Sequence, residues 1–196
     1  MEKLNRSDLY SLEQYAEQRP AMRAKVMAHK KHRRVALGPH ATLYFEDRLT
    51  IQYQVQEMLR TERIFEAAGI QEELDAYNPL IPDGSNWKAT MMVEYSDIEE
   101  RKQALAKLIG IEDKIYMQVA GYDKVYPIAD EDLERETEEK TSAVHFLRFE
   151  LSAEMVKALK SGAELSAGVE HAHYQVEVSP VRQDIRDSLV GDLEMH

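Results

Sequence analysis

A chain of 196 residues is long enough for one sizeable domain with a real core. Its 36 carboxylates against 25 lysines and arginines give a formal net charge of −11, which argues against nonspecific nucleic-acid binding as a main role. There are no cysteines, which excludes disulfides, thiolate catalysis and cysteine-held zinc or iron–sulfur clusters on this chain, and no stretch approaches the roughly 20 apolar residues of a membrane span.

The first residues, MEKLNRSDLYSLEQY, are polar and carry no apolar signal-peptide core, so a cytoplasmic address is expected. Ser11 with Gln14 reads as a capping box that starts a first helix near residue 11. Pro20 is expected to break that helix or to start a second one. Residues 1–32 are therefore a candidate helical N-terminal subdomain within a single domain spanning 1–196. The one basic cluster, His29-Lys30-Lys31-His32-Arg33-Arg34, would complement the dipole at a helix end, or else bind phosphate. Val35-Ala36-Leu37 and Thr42 to Glu46 read as a hairpin around Gly38-Pro39-His40.

Leu49 to Ala67 is predicted as the central helix. At about 100° per residue, Ile51, Val55, Met58 and Phe65 form one apolar stripe with Leu59 at its edge. Glu62 falls in that stripe and Glu66 lies one turn further along it. Two carboxylates in a core repel each other and lose hydration worth several kcal/mol, so they require a cation, a proton or a metal. Gly69 is a candidate cap or hinge, Gln71 to Tyr77 a second short helix, and NPLIPDGSN a stiff loop. Trp87 to Tyr95 reads as a strand.

Ser96 and Glu99 box the start of a helix over Asp97 to Ile109, closed by Gly110. Lys114 to Ala120 and Lys124 to Ile128 are predicted as a hairpin around Gly121-Tyr122-Asp123. The acidic run Asp130 to Glu139 reads as a solvated loop or a docking patch for a basic partner. Thr141 to Leu151 is the strongest strand, with His145, Leu147 and Phe149 on one face and Arg148 and Glu150 on the other. A short helix over Ala153 to Lys160, capped by Ser152, precedes strands at Leu165 to Glu170 and Tyr174 to Val178, and a final helix covers Val181 to Leu193. The order predicts an α+β fold: a helical N-terminal part, then a largely antiparallel sheet with interspersed helices.

Three constellations carry candidate chemistry. Glu62, Glu66 and His145, with Glu150, offer the donor types of a non-haem iron or manganese site, although no Glu-x-x-His is present. His171 and His173 alternate along a strand and point the same way, so they form a second candidate metal pair or a solvent-facing hairpin. Arg148 with Glu150 gives a buried polar network in which the arginine fork pairs Glu62 and Glu66. No Walker or Rossmann phosphate loop and no Gly-x-Ser-x-Gly elbow occurs.

The strings RRVALGPHATLYFEDRLTIQYQVQEMLRTERIFEAAGIQEELDAYNPLIPDGSNWKATMMVEY and YPIADEDLERETEEKTSAVHFLRFEL resemble the bacterial domain of unknown function family 3501, over nearly the whole chain. That resemblance supplies no catalytic residues. It implies a context: genes beside a rubrerythrin-like protein and an iron–sulfur oxidoreductase, hence oxidative-stress defence or electron transfer. The expected function is then an accessory protein that binds such redox partners. The alternative is a non-haem metal-binding redox protein or small oxidase.

Overall fold

The computed structural model describes residues 1–196. The chain opens with a turn of 3-10 helix at Arg6–Asp8 and then α1 over Leu12–Lys30, started by the reciprocal Ser11–Gln14 box. Pro20 does not break α1. It lies on the exposed side, where water can satisfy the carbonyl it leaves unpaired. The strands β1 (Arg34–Leu37) and β2 (Ala41–Phe45) form the expected hairpin, with Gly38 in the left-handed conformation its turn needs.

The helix α2 spans Arg48–Thr61 and is shorter than its apolar pattern suggests. Asp47 caps it by accepting from the Thr50 amide at 3.0 Å. Its buried stripe is Ile51, Val55 and Leu59, which packs with Leu4, Leu74 and Ile81 into a small separate core. Glu62 is already the C-cap, and Arg63 takes a left-handed φ of 54° that turns the chain away. Phe65, predicted in the stripe, is therefore 71% exposed. The next helix, α3 (Ala67–Tyr77), contains Gly69 rather than ending at it. The opposite flank of α2 meets α1, where Glu57 accepts from Tyr15 at 2.7 Å and from Arg19 at 2.8 Å.

β3 (Asn86–Val93) leads to α4 (Ile98–Lys107), whose cap is Asp97 accepting from the Glu100 amide, rather than Ser96. Then come β4 (Ile115–Val119), β5 (Ile128–Ala129), β6 (Val144–Glu150), α5 (Ala153–Lys160), β7 (Leu165–His171), β8 (Tyr174–Val178) and α6 (Gln183–Val190). The fold is α+β, built on two antiparallel sheets. One has the order β1-β2-β3-β6-β5 and the other β4-β7-β8. The predicted 114–128 hairpin does not form as such: Met117 and Val125 make one isolated bridge, and β5 crosses to pair with β6. Long-range pairing there outcompetes the local turn. The inner faces of both sheets, with α5 and α6, enclose the main core around Trp87, Phe45, Phe149 and Met91.

A charged pair sits inside this packing. Arg33, 2% exposed, donates Nη1 and Nη2 to the Asp192 carboxylate at 2.9 and 2.6 Å. It also donates to the carbonyls of Phe45, Glu46 and Ser188. Burial pushes the Asp192 carboxyl upward and the Arg33 guanidinium pulls it back. The pair thus joins the α1–β1 junction to the segment after α6, next to Trp87 Nε1, which donates to the Leu189 carbonyl at 2.8 Å. Arg33→Met leaves Asp192 buried and alone, with an expected cost of about 3–5 kcal/mol in urea unfolding. Adding Asp192→Leu is expected to recover more than half of that loss, and a double variant as unstable as the single one would contradict the pairing.

Candidate functional site

His145 stands on the core-facing side of β6 and is 0% exposed. Its Nδ1 lies 2.6 Å from Asp130 Oδ2. Its Nε2 lies 2.8 Å from Thr141 Oγ1 and 3.0 Å from the Ser142 carbonyl. The Asp130 carboxylate calls for an N–H on Nδ1, whereas the Thr141 hydroxyl can donate to Nε2 or accept from it.

Asp130 follows β5 directly. Its φ of 51° is left-handed, a conformation that aspartate tolerates better than most residues. That turn sends the acidic segment outward while the carboxylate folds back onto β6, where Oδ1 accepts from the Phe146 amide at 2.9 Å. Arg135 braces the same oxygen at 3.2 Å, is held by both oxygens of Asp132, and lies 4.6 Å over the Phe146 ring.

Glu112 enters from the 3-10 turn Ile111–Lys114, just after the left-handed Gly110. It is 6% exposed, and its Oε2 lies 3.9 Å from His145 Nε2 without a hydrogen-bond partner. Beside it, Glu136 accepts from the Gly110 amide at 3.0 Å. Burial raises the Glu112 carboxyl to about 7, and Glu136 adds to the rise while His145 opposes it. Glu112, Asp130 and His145 offer ligand atoms that all lie within 4.8 Å of one another. A cation with bonds of about 2.1 Å holds donors up to about 4.2 Å apart, so the His145 Nε2–Glu112 Oε2 spacing of 3.9 Å fits, while Asp130 holds the ring's other nitrogen. A cleft of about 360 Å³ opens over the cluster, lined by seven carboxylates and one cation, Arg135.

The other predicted site residues lie elsewhere. Glu62 and Glu66 are exposed, because α2 stops at Thr61 and the two glutamates flank the break as C-cap and N-cap. They form no buried network, and neither reaches His145 or Arg148. Arg148 instead pairs with Glu131 at 2.9 and 2.7 Å and with Glu150 at 2.5 Å on the outer sheet face. Glu150 also accepts from Asn86 at 2.8 Å, so it is a surface partner and not a ligand beside His145. His171 and His173 do not converge: His171 is buried with Nε2 on the Ile109 carbonyl and Nδ1 accepting the His173 amide, while the His173 ring is exposed. Of the predicted metal set, His145 alone lies in the cluster. Its partners come from two other segments, Glu112 from the 3-10 turn before β4 and Asp130 and Glu136 from the acidic run 130–139. The inward parity of His145 is a sequence signal for the site, the acidic run 130–139 stands out only as a loop or docking patch, and nothing in the sequence marks Glu112.

Residues 3–193 match the family described as "Protein of unknown function (DUF3501)", and the chain belongs to that family. A solved structure, a novel protein of unknown function from Burkholderia pseudomallei K96243, is 53% identical. The match covers 98% of this chain and 100% of that one, with a TM-score of 0.93. A comparison with curated proteins found no match. No helix is long and apolar enough to cross a membrane.

The raised Glu112 carboxyl has a signed consequence. Between its ordinary value near 4.5 and the folded value near 7, the folded chain holds a proton that the unfolded chain has released. Stability therefore falls as pH rises through that window. In chelator, Glu112→Gln is expected to flatten this slope and to be more stable than the parent at pH 8 by on the order of 1 kcal/mol. A variant that is less stable at pH 8 would contradict the assignment.

Proposed function

We propose that this family member is a divalent-cation-binding protein whose ligands are Glu112 and His145, with Asp130 orienting the imidazole from its other nitrogen and Glu136 alongside. The observation that carries the reading is the Glu112 carboxylate. It is buried against a histidine and another carboxylate, and one of its oxygens has no hydrogen-bond partner. Leaving such a group unmet is costly, and a cation offsets that cost better than a bound proton. One imidazole among carboxylates suits manganese(II) or iron(II) better than zinc in thiolate sites or calcium in all-oxygen sites.

The residues divide the work by geometry. Glu112 Oε2 and His145 Nε2 lie 3.9 Å apart, a separation that one cation could bridge. Asp130 on Nδ1 selects the tautomer in which Nε2 presents its lone pair, once the proton it shares with Ser142 and Thr141 is given up. Either metal would be redox-active, which connects the site to the electron-transfer context implied by the family resemblance.

A second reading, an accessory protein that docks redox partners, is favoured by one feature. Leu133 is 56% exposed within the acidic segment that carries Asp130. An apolar side chain ringed by carboxylates suits a basic partner surface. Co-purification with the rubrerythrin-like protein or the iron–sulfur oxidoreductase, weakened by Leu133→Ala, would support it. Recovery of neither partner at native expression would count against it.

The primary test is elemental analysis of protein purified without chelator or metal-affinity resin. About one manganese or iron per chain is expected, lost in Glu112→Gln and retained in Glu62→Gln, since only the former residue lies in the cluster. Metal-free protein after anaerobic reconstitution with either ion, or undiminished metal in Glu112→Gln, would overturn the proposal.

A further inference from the structure

The basic segment at the end of α1 divides into two sets. His29 pairs with Asp47 at 2.5 Å, His32 with Asp184 at 2.9 Å and Arg33 with Asp192. Lys30, Lys31 and Arg34 make no ion pair, although carboxylates outnumber cations by 36 to 25 in this chain. All three line one pocket of about 480 Å³. That volume lies within the roughly 300–1,000 Å³ of small-ligand sites.

The pocket rests on the outer face of the five-stranded sheet. Its floor carries Tyr44, opposite Arg34 in the β1–β2 register, and Thr90 on β3. Glu46, just past the end of β2, accepts from Thr50 Oγ1 at 2.6 Å and Thr90 Oγ1 at 3.1 Å. Those two hydroxyls fix its carboxylate inside the pocket, where it can still accept a further hydrogen bond. Met27 and Met92 give the wall an apolar, adaptable surface.

We propose that this pocket binds a mononucleotide-sized organic phosphate. Lys30, Lys31 and Arg34 take the phosphate, Tyr44 and the methionines take a flat ring, and Glu46 accepts from a donor on that ring. Three cations around one dianion at the mouth of a half-buried cleft supply the attraction, and the floor supplies the preference for a ring that carries an N–H. The residues involved are disjoint from those over the Glu112–His145 cluster, so this site stands independently of the metal reading.

The test is calorimetric titration of the full chain with adenosine monophosphate, adenosine and inorganic phosphate. Saturable binding of the monophosphate is expected, tighter than either fragment and weakened by added salt. In Lys31→Glu/Arg34→Glu, both at exposed positions, the dissociation constant is expected to rise by at least about tenfold. Lys102→Glu/Lys107→Glu on α4 makes the same charge change elsewhere and is expected to leave it unaltered. Circular dichroism checks that each variant is folded. No saturable binding of the monophosphate, equal binding of adenosine, or undiminished binding in Lys31→Glu/Arg34→Glu would overturn the proposal.

Discussion

The Arg33–Asp192 pair is the interaction on which the arrangement of both chain ends depends. A guanidinium 2% exposed is tolerable only because its hydrogens are met by one carboxylate and three carbonyls. Meeting them fixes the exit of α1, the end of β2 and the segment after α6 relative to one another. The consequences reach the surface. With Arg33 turned inward and its histidine neighbours paired, Lys30, Lys31 and Arg34 are left facing the outer pocket.

Against that background Glu112 stands out. Buried polar atoms are otherwise well satisfied: the only other buried side-chain atom without a partner is Arg48 Nε, on a residue that still pairs with Asp8 through its terminal nitrogen. A fold that completes the hydrogen bonding of a dry arginine, yet leaves a carboxylate oxygen unmet beside a buried histidine, places its one expensive vacancy of bonding where cation chemistry is available. The site also lies where β5 and the 3-10 turn before β4 meet β6, so Glu112, His145 and the Asp130 that orients the imidazole are each held by a different piece of backbone.

Much of the fold was legible where the determining signal is local. The Ser11–Gln14 box, the Ser152 cap with α5, the Gly38 turn and the inward alternation of His145, Leu147 and Phe149 all follow from neighbouring residues. What failed was set at a distance. No glycine or proline marks the end of α2, since Arg63 itself takes the left-handed turn, so the apolar spacing continues in sequence through Glu62 and Phe65 after the helix has ended. The partner of β5 lies across the acidic segment in sequence, whereas the local pattern around Gly121 points to a hairpin. For the site, His145 was reachable from strand parity, whereas Glu112 and Asp130 become its neighbours only through the packing of separate segments.

The metal assignment is tested most directly by anomalous diffraction from crystals soaked in manganese(II), with data collected where manganese scatters anomalously and the lighter atoms contribute little anomalous signal. One strong peak is expected between Glu112 Oε2 and His145 Nε2, within about 2.3 Å of each, with the Asp130 carboxylate still on Nδ1. A peak confined to the exposed carboxylates of residues 131–139, or none above background, would contradict the assignment and leave Glu112 as a buried acid that holds its own proton.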